Sequence, residues 1–152
     1  MNGVAQLLLP ALRWDTAVGW EKERPLIEKG LQLGVGGFIL FGGVEDAVRS
    51  LTKELPQRSR VPLLIGADLE RGAGQQIAGA TGLPPLAAIA SLGDTDAVRR
   101  AARLTAREAR TVGVDWSSTE RGSGCSSPAH RQRPQPQPQP IRVYGDCAAS
   151  FG

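Results

Sequence analysis

Three short apolar runs constrain this chain more than any other feature: Val4 to Leu9, Gly37 to Phe41, and Val61 to Ala67. Each is continuous instead of alternating, with Gln6 the one polar interruption. A strand with one wet face alternates apolar and polar residues, because successive side chains point to opposite faces. An unbroken run is the pattern of a strand buried on both faces, as in parallel sheets covered by helices.

The segments between the runs have helical spacing. Pro25 to Leu33 carries Leu26, Ile27 and Leu31, with Pro25 suited to a first turn and Gly34 to a C-terminal cap. Glu45 to Leu55 carries Val48, Leu51 and Leu55, and Pro56 is expected to stop it. The clearest helix runs from about Thr95 to Val112, with Asp94 as N-cap. Val98, Ala101, Ala102, Thr105, Ala109 and Val112 form one stripe, and five arginines largely face elsewhere. Gly113 is placed to end that helix, and a fourth strand is expected from Val114. The order β-α-β-α-β-loop-α-β predicts an α/β fold with parallel strands. It does not by itself separate a barrel from an open sheet.

Size and charge set further bounds. The chain has 152 residues, the length of one domain and well short of the roughly 250 of a whole (β/α)₈ barrel. Its net charge of +3 invites a nucleic-acid reading, which the distribution opposes. Residues 1–116 hold 14 Lys+Arg against 13 Asp+Glu, so most of the excess lies beyond them. No basic stripe with interleaved aromatics occurs, so no nucleic-acid partner is expected. Leu7-Leu8-Leu9 is too short for a membrane span or a signal segment, so no membrane partner is expected either. Cys125 and Cys147 are the only cysteines, and both fall in the tail. A reducing, cytoplasmic location is the expectation.

The third run ends at Asp68-Leu69-Glu70-Arg71-Gly72. Two carboxylates at i and i+2 point roughly the same way if the strand continues. Such a pair can do acid/base or nucleophilic work on a sugar, hold a metal, or accept hydrogen bonds from sugar hydroxyls. The plainer alternative has Asp68 capping a loop and Glu70 paired with Arg71 in solvent. The loop from Leu69 to Gly93, which includes Gln75 and Gln76, is long for a strand-to-helix connection. In barrels such loops build the active site. A phosphate or dinucleotide site at Gly34-x-Gly36-Gly37 is disfavoured, because those glycines precede a strand instead of following one. No metal-ligand spacing is present, so no metal or other cofactor is expected.

Four blocks, taken in order, resemble glycoside hydrolase family 3. They are Gly34-Val-Gly-Gly-Phe-Ile-Leu-Phe41, Pro62-Leu-Leu-Ile-Gly-Ala-Asp-Leu-Glu70, Thr81-Gly-Leu-Pro-Pro85, and Ala106-Arg-Glu-Ala-Arg-Thr-Val-Gly-Val-Asp-Trp116. The resemblance covers residues 4–116 and implies a partial (β/α)₈ TIM barrel, about its first four βα units. It implies retaining hydrolysis of β-linked sugars by a carboxylate nucleophile and a separate acid/base, of β-N-acetylhexosaminidase or β-glucosidase type. The family's Asp-x-Glu-Gly-Gly motif falls on residues 68–72. By that match Asp68 is substrate-binding and not catalytic, while Glu70 orients the loop. Arg71 stands in place of the motif's first Gly. Ala73 stands where that branch often has Arg, which removes the sugar contact expected of that Arg. Asp68, Glu70 and Arg71 are therefore the expected substrate-binding residues, and a small β-glycoside is the expected partner.

After Trp116 the family pattern gives out. Residues 117–152 are rich in Ser, Arg, Gln and Pro, with three Gln-Pro pairs from Gln135 to Pro140. Taken literally this is a disordered, Pro-rich tail, or a Pro-rich ligand for a small recognition domain. The alternative is a shifted reading frame over about 117–140. Moving the frame forward by one base turns Gln-Pro junctions into Asn or Ser codons and lets Pro-Gln junctions encode Pro. The shifted peptide can then read like Ile-Ala-Ser-Val-Pro-Asn-Pro-Asn, which resembles the family at this place. Ser150-Phe151-Gly152 matches the family again in the original frame. The family's catalytic His and Asp segments are expected beyond residue 152, and His130, alone in the tail, is assigned no role. On this reading the 152-residue chain is poorly soluble or molten by itself and has no catalytic residue.

Overall fold

The computed structural model describes residues 3–117. It contains four parallel strands in a single sheet, ordered as they occur in the chain. These are β1 (Ala11–Arg13), β2 (Gly37–Phe41), β3 (Leu64–Ala67) and β4 (Trp116–Ser117). The helices are α1 (Arg24–Leu33), α2 (Glu45–Arg58), a short α3 (Leu86–Ala90) and α4 (Thr95–Thr111). Ala11 pairs with Ile39, Gly37 with Leu64, and Gly66 with Trp116. The parallel α/β reading therefore holds. Apart from Ser117, the Pro-rich tail and the frameshift segment lie outside the described residues, as do His130 and both cysteines.

Leu12, Phe38, Leu40, Ile65 and Ala67 share one sheet face and are buried with Ile27 and Leu31 of α1 and Val48, Leu51 and Leu55 of α2. Burying an aliphatic or aromatic side chain of this size contributes about 1.5–3 kcal/mol, so this layer dominates the stability. The strands were expected to be buried on both faces. Among the described residues the second face is only partly covered: Ile39 and Phe41 are half-buried, and Leu64 is 45% exposed. Trp116 lies over Gly66 there, and the Arg13 guanidinium sits 4.8 Å from the centre of the Phe41 ring.

Local signals explain the helix ends. Pro25 occupies the first turn of α1, and Gly34 closes it at φ 72°, a left-handed conformation that costs glycine nothing. Asp94 caps α4 by accepting the Asp96 N–H at 2.8 Å. Along the expected α4 stripe, Ala109 and Val112 are buried, Ala101 and Thr105 are half-buried, and Val98 is 40% exposed.

Four expectations need correction. Val4–Leu9 is not a strand. Gly3–Leu7 forms a 3₁₀ turn with Leu7 79% exposed, and the first strand is Ala11–Arg13. The approach to β2 starts earlier, where Gly36 N–H donates to Leu8 O at 3.1 Å and Ile39 N–H to Pro10 O at 3.0 Å. Gln6 O lies where a Cβ on Gly36 would sit. Pro56 does not stop α2, which continues to Arg58. Proline removes its own donor and crowds the carbonyl four residues back, yet the helix runs on and the Ser59 N–H closes the last turn on Leu55 O at 3.1 Å. The Leu69–Gly93 loop is partly helical, because Leu86-Ala-Ala-Ile-Ala90 favours a helix after Pro85. Strand β4 starts at Trp116 and not at Val114. Ahead of it, Asp115 Oδ2 accepts the Ile65 N–H at 2.9 Å, a place a backbone carbonyl would fill in a ladder.

Candidate functional site

Because all four strands run the same way, their carboxyl ends share one edge of the sheet. Trp14, Gly42 and Asp68 follow immediately after β1, β2 and β3, and Ser117 ends β4. Asp68 and Glu70 are half-buried here and Arg71 is exposed. The three residues expected to bind substrate are thus brought to one sheet edge. The i, i+2 argument for a shared direction does not carry over, since β3 ends at Ala67 before either carboxylate.

The chain turns sharply after Asp68, and the turn is held by its backbone. The Leu69 side chain is buried, and its N–H donates to the Ser117 hydroxyl at 3.0 Å. Gly72 N–H donates to Leu69 O at 3.1 Å. Gly72 has φ 79°, and a Cβ there would lie 2.5 Å from Thr81 O, so the Leu-Pro segment packs directly against it. Arg71 is fixed from both sides: its N–H donates to Gln75 Oε1 and its carbonyl accepts from Leu83 N–H, each at 2.8 Å.

The loop is also tied to the neighbouring strand. Gln76 Oε1 accepts the Gly42 N–H at 2.9 Å, and Ala78 N–H donates to Gly43 O at 2.8 Å. Thr81 hydrogen-bonds Glu108 of α4 through its hydroxyl, at 2.6 Å, and its N–H, at 3.0 Å. Gln75 and Gln76 stood out in the sequence only as members of the loop, and their spacing carried no sign of these contacts. Ser117 was placed in the tail, whereas it belongs to β4 beside Ala67.

Two concavities of about 200 and 250 Å³ are lined by Glu45, Glu108 and Thr111, and by Trp14, Trp20 and Glu54 among others; neither includes Asp68, Glu70 or Arg71. Gly34, Gly36 and Gly37 serve the fold. One caps α1, and the other two admit the Gln6 and Leu64 carbonyls where a Cβ would clash. Among the described residues no group of three or more His, Cys, Asp or Glu is arranged to hold a metal ion, and no helix is long and apolar enough to cross a membrane.

Comparison with known proteins is consistent with this geometry. The chain is 41% identical over 93 residues to a β-N-acetylglucosaminidase/β-glucosidase of Cellulomonas fimi, covering 61% of this chain and 16% of that protein. A family 3 β-N-acetylglucosaminidase from Paenibacillus sp. str. FPU-7 superposes with a TM-score of 0.62 at 29% identity, over 76% of this chain and 23% of that one. NagZ from Neisseria gonorrhoeae in complex with N-trifluoroacetyl-D-glucosamine gives 0.52 at 26%, over 74% and 35%. The β-glucoside phosphorylase BglX bound to 2FGlc gives 0.66 at 20% identity, over 77% and 20%, a likeness of fold alone. The chain thus spans 16% to 35% of the length of these relatives. Residues 3–119 match the family described as "Glycosyl hydrolase family 3 N terminal domain", and the chain belongs to that family.

Proposed function

We propose that residues 3–117 are the opening part of a (β/α)₈ glycosidase barrel, three strand–helix units and the fourth strand, and that their carboxyl edge holds a β-linked sugar. The observation that carries this reading is the place of Asp68, directly after β3 on the edge where barrel enzymes build their sites. Four parallel strands in chain order, without the reversal of a doubly wound sheet, support the barrel.

Asp68 is the sugar-holding group. A carboxylate accepts hydrogen bonds from two hydroxyls, and its charge strengthens both. Glu70 orients the turn. Arg71 presents its side chain to solvent from a backbone fixed at both its N–H and its carbonyl, and it contributes a cationic donor at the rim. No residue of this chain is assigned as nucleophile or acid/base. The part that carries the site is residues 1–116 with the Ser117 hydroxyl.

The sugar is N-acetylglucosamine or glucose, the two named by the Cellulomonas fimi relative. Titration calorimetry of the 152-residue chain with each sugar tests the reading. Heat of binding that disappears in Asp68→Ala is expected. A chain that binds neither sugar, or binds equally well without Asp68, defeats it.

A further inference from the structure

We infer that Gln75 and Gln76 are positioning residues, which together latch the Asp68–Arg71 turn to the carboxyl end of β2. The sugar consequence rests on the reading of Asp68 given above; the latch itself does not.

Gln75 ends a 3₁₀ turn, Ala73–Gln75, and Gln76 caps it; adjacent side chains diverge there, and the two amides reach two different segments. Gln75 reaches back to the Arg71 N–H, within its own turn. Gln76 reaches across to the N–H of Gly42, the first residue after β2. The chain then runs alongside the β2–α2 connection: Ala78 N–H donates to Gly43 O at 2.8 Å, and Glu45 N–H donates to Ala78 O at 3.2 Å. Ile77, between the two contact points, is buried. Gly42 in turn lies against Trp14 after β1, with the Trp14 Cβ 3.1 Å from where a Cβ on residue 42 would sit.

The latch therefore gathers the ends of three strands. A connection of this length samples many conformers unless it is tied down. Hydrogen bonds to sugar hydroxyls are directional, so a holding carboxylate is useful only on a turn with one geometry. Glutamine suits the task because it brings an acceptor on a two-methylene reach without adding a third negative charge beside Asp68 and Glu70.

Amide hydrogen exchange on the full 152-residue chain, read by mass spectrometry, tests the latch. Gln76→Met keeps the length and removes the amide oxygen, whereas Gln76→Glu keeps an acceptor. Gln76→Met is expected to speed exchange at Gly42 and across 69–74 about fivefold, the effect of one lost neutral hydrogen bond. Exchange in α1 and α2 stays unchanged, and Gln76→Glu, which keeps the acceptor but adds a charge beside Asp68 and Glu70, speeds exchange at Gly42 less than Gln76→Met does. In calorimetry with N-acetylglucosamine and glucose, Gln76→Met loses a similar factor in affinity at unchanged stoichiometry.

Unaltered exchange at Gly42 overturns the latch, as does acceleration spread equally over α1 and α2. If the wild-type chain binds neither sugar while exchange changes as stated, the sugar reading of Asp68 fails and the latch stands. If Asp68-dependent binding is intact and indifferent to Gln76→Met, the positioning role falls and the sugar reading stands.

Discussion

Gly66 on β3 and Trp116 on β4 are in register, and the indole ring occupies the space a side chain on residue 66 would need: a Cβ there would lie 2.6 Å from Trp116 Cε2. The smallest residue on one strand thus admits the largest on the next. Gly66→Ala is expected to push the ring off the sheet and to cost roughly 1–3 kcal/mol, as overpacking does. Urea unfolding followed by tryptophan fluorescence measures it. An unchanged midpoint would show that the indole moves away freely.

Thr52 ties α2 to the end of α4. Its hydroxyl donates to Val112 O at 2.7 Å, and both residues are buried. Thr52→Val keeps the shape and leaves that carbonyl without its donor, at a cost of about 1–3 kcal/mol. Gly113→Ala should be worse, because φ is +77° there and a Cβ would meet Thr52 Oγ1 at 2.5 Å. Chemical denaturation of both variants should rank them in that order; the reverse order contradicts the packing.

Glu54 joins α1 to α2. One Arg24 nitrogen donates to both of its oxygens, at 2.6 and 2.9 Å, and Arg58 Nη1 donates to Oε1 at 2.7 Å. Arg58 also pairs with Glu28. The hydrogen bond from Arg24 holds the Glu54 carboxyl below its ordinary value, with Arg58 helping against partial burial. A depressed native pKa means stability that is complete above the unfolded value and lost as pH falls through the native one. The pair is partly exposed, so its contribution is about 0.2–1 kcal/mol. Glu54→Gln should therefore lower stability at neutral pH and match wild type once the carboxyl is protonated. Urea midpoints across an acid titration read this directly, and a variant difference independent of pH refutes it.

Activity is the fourth test. The proposed function gives Asp68 a holding role and assigns no nucleophile or acid/base, so no hydrolysis of an aryl β-glycoside by the purified 152-residue chain is expected. Release of the aryl group above the buffer rate, followed by absorbance, overturns that assignment.

Much of this architecture was legible in the residues. Pro25, Gly34 and Asp94 mark helix ends by local chemistry, since a fixed φ, a left-handed cap and a side-chain acceptor need no tertiary context. Gly37–Phe41 gave β2 its limits because its apolar run and its ladder coincide. The Val4–Leu9 run misled because apolar content marks a tendency to be covered, whereas a strand needs a partner in register. Asp115 displaced the start of β4 by taking a ladder position with its side chain, which no periodicity encodes. The place of Asp68 was visible as the end of a run. The contacts of Gln75 and Gln76 were not, because they join backbones 4 and 34 residues away.

The strand order has a consequence for how the chain is made. Each strand of the sheet after β1 pairs with the strand synthesised just before it. A nascent chain leaving the ribosome can therefore pair each new strand with one already made, although β4 must wait for the 50 residues that separate Gly66 from Trp116. At every stage of that growth the newest strand is an open edge, so the elongating polypeptide presents unpaired N–H and C=O groups to the residues about to emerge.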